Sequence, residues 1–383
     1  MNIAKKPPTT TAFVILLLLV LGGAFSCDTV TKATDLITSP TPREVYQRDY
    51  VDDTLRFSQW QKAFVDAMSD SVSIRLPYME KGRFSTRTHA VYSYDFSLQK
   101  GEVFHFKVQV DTVDTKIFID LYKKRNDSIL DFVKHNEPMQ NDLVLPVDED
   151  GEYKVVAQAE MDADTPFVIK AFRKPSYIFP VSGKGNAAVQ SFWGATRDGG
   201  RRSHEGIDIF APRGTPVVAA TDGRVSRTGN RGLGGKQVWL RVGMLGHSLY
   251  YAHLDSIATS AGKRVKRGDT LGFVGNTGNA KTTPPHLHFG IYQRGALNPL
   301  PYVYEGAEPR HAIGPSAFDV PFVKVSSPRA NLRSSSYLKS RKIGEVHRND
   351  TLMLLGESYD WLHVATQDNQ KAFLHKSLVQ GVQ

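Results

Sequence analysis

The hydrophobic pattern opens with an apolar run from Ala12 to Leu21, preceded by Lys5 and Lys6 and followed by small residues ahead of Cys27. That run is short for a membrane-spanning helix, which needs roughly 20 residues, and its flanks predict an export signal over residues 1–27. Residues 28–49 turn polar around Ser39-Pro40-Thr41-Pro42 and predict a flexible tether. In residues 50–172 an amphipathic stretch from Ser58 to Met68 predicts a helix. Alternating runs follow at Val103 to Val108, Lys116 to Tyr122 and Tyr153 to Ala157, with turn signals such as Asp150-Gly151 between them. They predict a β-sandwich-like accessory domain. Residues 173–305 are rich in glycine and short strand-like runs, and predict an antiparallel β-sheet domain. After a linker at 306–319, residues 320–383 hold further short strands, among them Trp361 to Val364 and Lys371 to Leu374. The expected fold class is therefore mainly β.

Composition narrows this picture. The chain has 383 residues, 40% hydrophobic and 23% charged, which suits two or three compact domains and excludes wholesale disorder. Lys and Arg outnumber Asp and Glu by 48 to 39, but the surplus is spread along the chain with no arginine-rich tract. Anionic surfaces are favoured as neighbours, and no nucleic-acid partner is expected. The single cysteine excludes an internal disulfide.

Candidate chemistry collects between 200 and 290. In Ser203-His204-Glu205-Gly206-Ile207-Asp208, a strand would bring His204, Gly206 and Asp208 to one side. In Pro285-His286-Leu287-His288-Phe289, the same alternation turns both histidines one way and Leu287 and Phe289 into a core. A further histidine stands in Tyr250-Tyr251-Ala252-His253. Imidazoles with one carboxylate suit zinc, and three protein ligands leave a fourth position for water. Four histidines and an aspartate exceed that need, so one or two should act beside the metal. Gly206 is expected to allow close packing near the metal, and Gly275 and Gly278 to bracket a turn. Arg197, Arg201 and Arg202 are either solvated or available to the anionic groups of a polymer. His89, His105, His135, His247, His311, His347, His363 and His375 lack ligand spacing and read as ordinary surface or half-buried groups.

The stretch from Phe179 to Pro299 resembles the LytM and lysostaphin-like zinc metallopeptidases, peptidase family M23. The resemblance rests on His204-x-x-x-Asp208, Tyr251-x-His253 and His286-x-His288, with Ala211-Pro212-Arg213-Gly214-Thr215-Pro216 and Gly275-Asn276-Thr277-Gly278 as flanks. It implies that His204, Asp208 and His288 are the zinc ligands, with His253 and His286 as catalytic residues beside the water. Residues 1–27 resemble a bacterial lipoprotein signal, which implies a lipid on Cys27, with an uncleaved anchor or ordinary secretion as the alternatives. The order of runs in 50–172 resembles a prepeptidase-type β-sandwich, and residues 320–383 resemble a bacterial SH3-type barrel.

Together these resemblances imply a membrane-anchored envelope endopeptidase that cuts peptide cross-links of peptidoglycan, with a protein regulator and the oligomeric state left open. The alternatives are a noncatalytic wall-binding or amidase-activating lipoprotein, a peptidase of glycine-rich peptides or proteins, and an adhesion protein working through its SH3-like tail. Deleting residues 320–383 is the expected way to separate adhesion from catalysis.

Overall fold

A computed structural model describes residues 40–50, 54–86, 89–112, 114–126, 129–243, 246–310 and 320–382. Residues 1–27, where an export signal is expected, lie outside the described residues, and among these no helix is long and apolar enough to cross a membrane. The chain divides into two compact units, Met1–Thr54 and Leu55–Gln383. In the first unit, where the sequence predicts a flexible tether, Pro42–Arg48 is helical. Thr41 and Glu44 form a reciprocal capping box, with Glu44 N donating to Thr41 Oγ1 at 3.2 Å, and Pro42 starts the helix where its missing N–H costs nothing.

The second unit begins one residue into the helix Thr54–Met68, whose Trp60 indole donates to Ala159 O at 2.8 Å. It is followed by the expected sandwich. One sheet orders Val91–Leu98, Gly151–Ala159, Ile117–Lys124 and Leu130–His135; the other holds Tyr78–Phe84, Thr165–Pro175, Glu102–Val110 and Asp142–Pro146. The alternation read in the sequence is the one that packs: Phe104, Phe106 and Val108 are buried on one face, while Val103, His105 and Lys107 stay partly open.

The second sandwich sheet does not stop at its own edge. Tyr78–Phe84 pairs with Thr351–Ser358, with Gly82 opposite Gly356, so sandwich strands and C-terminal strands form one eleven-stranded sheet. A Cβ on Gly356 would lie 2.2 Å from Glu80 Oε1, so the strands meet this closely only because that position is glycine. Leu355, Trp361, Ala365 and Phe373 fill the sandwich core, whereas Val323, Leu332, Leu362, Val364 and Leu374 fill a separate small core consistent with an SH3-like module. His363, expected as an ordinary surface or half-buried group, is fully buried at this junction. Its Nδ1 lies 3.0 Å from Glu80 Oε1, and Glu80 Oε2 accepts from Tyr94 at 2.8 Å and from Tyr78 at 2.5 Å.

The central domain is a ten-stranded antiparallel sheet in which Arg264–Val265, Gly223–Arg231, Gly235–Arg241, Ser248–Ile257, His286–Tyr292, Ile207–Phe210 and Val189–Ser191 follow one another. Ile207, Ile209, Val225, Val238, Leu240, Leu249, Tyr251, Leu287, Phe289 and Ile291 form its core on one face. The opposite face is left for chemistry.

Candidate metal centre

His286–Tyr292 pairs with Ile207–Phe210 so that His288 stands opposite Asp208 and His286 opposite Phe210. The two-residue period behaves as predicted: Leu287 and Phe289 are buried in the core, while both histidines face the other way. His204 precedes the strand, which starts only at Ile207. It is carried by backbone pairing with the turn before it, His204 N donating to Ala195 O at 2.9 Å and Gly194 N to His204 O at 3.0 Å. Gly206 lets the chain pass: a Cβ there would lie 2.6 Å from the His288 ring.

His253 reaches the same place by a different route. Plain alternation would send it to the face opposite Ala252, which pairs with His288. A β-bulge, with the register shifting between Lys236 and Val238, and a left-handed backbone at His253 (φ 63°) turn the ring back towards His286 and His288. The ring centroids lie 5.1 Å and 5.9 Å away.

Three of the four imidazoles are aimed by carbonyls. A carbonyl only accepts, so His204 Nδ1–H donates to Phe192 O at 2.9 Å, His253 Nδ1–H to Thr277 O at 2.8 Å and His286 Nδ1–H to Pro284 O at 2.9 Å. The neutral form of each ring then carries its lone pair on Nε2. His204 Nε2, His288 Nδ1 and Asp208 Oδ1 face one another at 3.0 to 3.1 Å, and the three residues form a buried to half-buried group able to hold a metal ion. Donors at zinc–nitrogen distances in a tetrahedron sit about 3.3 Å apart, so this triangle is close to the required size. Two lone pairs and a carboxylate converging in this way repel one another unless a cation or shared protons lie between them; the donor set fits zinc.

Electrostatics agree with the geometry. Burial opposes ionisation of Asp208, but the close contacts with His204 and His288 outweigh it and hold the carboxyl far below the usual range. Burial, reinforced by the nearby imidazoles and opposed by the Thr277 carbonyl, lowers His253 to about 4. His286 stacks on Phe210, and its Nε2 lies 4.0 Å from Asp208 Oδ1.

The arginines before the first histidine divide. Arg197 does not wait for a polymer: its Nη2 donates to Asp208 Oδ2 at 2.8 Å and to Ser191 Oγ at 2.6 Å. Arg201 and Arg202 are exposed. With Oδ2 held by Arg197, Oδ1 is the oxygen left towards the two imidazoles. We expect Arg197→Gln to weaken zinc binding about 10- to 100-fold, measured by competition with a chromophoric chelator; unchanged affinity would remove this role. The sequence marked Arg197 only as a group for an external anion; its contact with Asp208 is a side-chain contact between sheets, since Thr196–Arg197 pairs with Arg202–Ser203 and not with Ile207–Phe210. His247, outside the three motifs, is half-buried, with its Nδ1 2.6 Å from Tyr177 OH.

Comparison with known proteins agrees. Residues 202–299 match the model of peptidase family M23. The chain is 37% identical over 126 residues to the L-Ala--D-Glu endopeptidase of Bacillus subtilis, covering 30% of this chain and 38% of that protein. It is 36% identical over 142 residues to the uncharacterized lipoprotein YgeR of Escherichia coli, covering 35% and 50%. The chain thus spans half or less of the length of these relatives. The catalytic domain of lysostaphin from Staphylococcus simulans aligns at 32% identity and TM-score 0.27, over 30% of this chain and 89% of that one. With the sequence pattern, the sheet that carries it and the matched segment coinciding, this chain contains a peptidase family M23 domain over residues 202–299.

Proposed function

We propose that the chain is a zinc-dependent endopeptidase that hydrolyses peptide cross-links of bacterial peptidoglycan. The observation that carries this reading is the convergence of His204, Asp208 and His288 on one point, with the His253 and His286 rings beside it. His204 Nε2, Asp208 Oδ1 and His288 Nδ1 would hold the metal. When bound, zinc supplies a Lewis acid that polarises the scissile carbonyl and eases deprotonation of water.

The remaining work falls to the protein. His253, with its low pKa, is neutral at pH 7 and presents Nε2 as a proton acceptor, its ring held by Thr277 O. His286 is held in the same way by Pro284 O. One Nε2 of the pair takes a proton from the attacking water; the N–H so formed faces the oxygen anion and then returns that proton to the leaving amine nitrogen. Glu205 takes no part, lying beside Tyr292, whose phenol it helps to push up.

The substrate class is supported by the activity for which the Bacillus subtilis relative is named, and the envelope address by the leader ending at Cys27 and by the relative named a lipoprotein. A lipid on Cys27 would hold the enzyme at the membrane next to the wall. The test is mass spectrometry of cross-linked peptidoglycan after incubation with the full chain, with and without a zinc chelator, beside His286→Ala. Chelator-sensitive, His286-dependent appearance of new amine and carboxylate ends is expected, and their masses identify the bond. Intact peptides with zinc bound would overturn the reading.

A further inference from the structure

One face of the central sheet continues from the metal-binding group to a cleft of about 1010 Å³ at the far edge, lined by Arg224, Arg241 and Arg264. Cross-strand partners share a face, so register can be followed along it. Beside His288, opposite Ala252, come Gly290 opposite Tyr250 and Tyr292 opposite Ser248. Tyr250 and Ser248 face Trp239 and Arg241, which in turn face Arg227 and Arg224. Arg224 finally faces Arg264.

The path is paved without interruption. The Tyr250 ring lies 5.8 Å from His288 and 4.4 Å from Trp239, Tyr292 lies 5.3 Å from Trp239, and the Arg227 guanidinium lies 5.2 Å from the Trp239 ring. Beyond it, three exposed arginines stand directly opposite one another on three adjacent strands. Like charges in that position destabilise a sheet. A charge on the edge strand Arg264–Val265 could serve to prevent edge-to-edge pairing, but Arg224 and Arg241 lie on the second and third strands, where no edge needs guarding. Nor does the cleft neutralise itself: its carboxylate, Asp222, binds Lys266 at 2.9 Å and accepts from Arg267 N at 2.8 Å, while Arg224 Nε donates to a carbonyl, Gly262 O. Among the described residues no carboxylate pairs with Arg224 or Arg264.

We propose that this cleft is a carboxylate-binding subsite, holding a free carboxylate of the wall peptide whose amide bond lies at the metal; the inference rests on the peptidase reading above. Guanidinium forks match carboxylates, and neighbouring strands space them about 4.8 Å apart. Two strand spacings and four residues of rise separate Arg241 from His288, about 16 Å, which an extended peptide of about five residues spans. The aromatic rings between them would support the intervening chain.

The test is binding of soluble wall fragments to the full chain carrying His286→Ala, which separates binding from cleavage. Fragments with free carboxylates and the same fragments with those carboxylates amidated are compared, with and without Arg224→Gln/Arg264→Gln. The double change should weaken the free-carboxylate fragment about tenfold or more and leave the amidated one unaffected. Equal loss for both fragments, or no loss, overturns the proposal. Vesicles of phosphatidylglycerol and phosphatidylcholine form a third arm: arginine-dependent binding to them, with none to the fragments, makes the cleft a membrane contact and also overturns it. A wild-type chain that cleaves no wall peptide while the arginine-dependent fragment binding persists overturns the peptidase reading and leaves the subsite standing.

Discussion

His253→Ala and His286→Ala should each retain zinc and lose turnover about 10²- to 10⁴-fold, whereas His204→Ala should lose both. The distinction follows from the geometry. His204 Nε2 lies 3.0 Å from His288 Nδ1 and 3.1 Å from Asp208 Oδ1, so its removal opens the donor triangle. His253 meets that triangle only through ring contacts, and His286 comes no nearer to Asp208 Oδ1 than 4.0 Å. Zinc content by atomic absorption, read beside cleavage of peptidoglycan, checks both halves. Glu205→Gln serves as the control and should be mild. Zinc lost from the His253 or His286 variant would show that the donor set is wrongly divided.

Breaking the Glu80–His363 pair should be the most destabilising single change outside the metal centre. Both side chains are fully buried, 3.0 Å apart, and join the sandwich to the C-terminal strands. Removing one partner of such a pair costs about 3–5 kcal/mol because the other charge stays buried, while replacing both by apolar groups is often neutral. His363→Leu should therefore lower the melting transition sharply, and Glu80→Gln/His363→Leu, which removes the buried charge but keeps an amide oxygen for Tyr78 and Tyr94, should recover most of it, as read by calorimetry. A double variant as unstable as the single one would show that packing, not charge, dominates. The pH sign follows from Glu80. Burial raises its pKa, but the His363 charge and the hydrogen bonds from His363, Tyr78 and Tyr94 outweigh this, so the net shift is downward. A carboxyl depressed in the folded state stabilises it above the unfolded value, about pH 4, and that stability drains away as pH falls through the folded pKa.

The same junction changes how a truncation must be read. Deleting residues 320–383 would strip Leu355, Trp361, Ala365 and Phe373 from the sandwich core and leave Glu80 without His363. Lost wall binding in that variant would report damaged folding as readily as a missing adhesion module. Substitutions on the exposed face, such as at Tyr359, are the cleaner probe.

By itself the sequence determined the mainly β architecture and singled out His204, Asp208, His253, His286 and His288 as the candidate groups. Period-two alternation carries over directly to the sheet: His286 and His288 lie on one face because Leu287 and Phe289 must enter the core. The donor types, imidazole with carboxylate, named the metal for the same local reason. What required the tertiary structure was every relation between distant strands. His253 enters the site through a bulge that alternation cannot foresee, and Arg197 reaches Asp208 by a side-chain hydrogen bond from a separate two-stranded sheet. Arg224, Arg241 and Arg264 look scattered along the chain and become neighbours only in register. His363 offered no hint of burial, because its partner Glu80 stands 283 residues away. Local patterns record which face a side chain takes; hydrogen-bonded register and the packing of one sheet against another decide which charges meet there, and those depend on the whole chain.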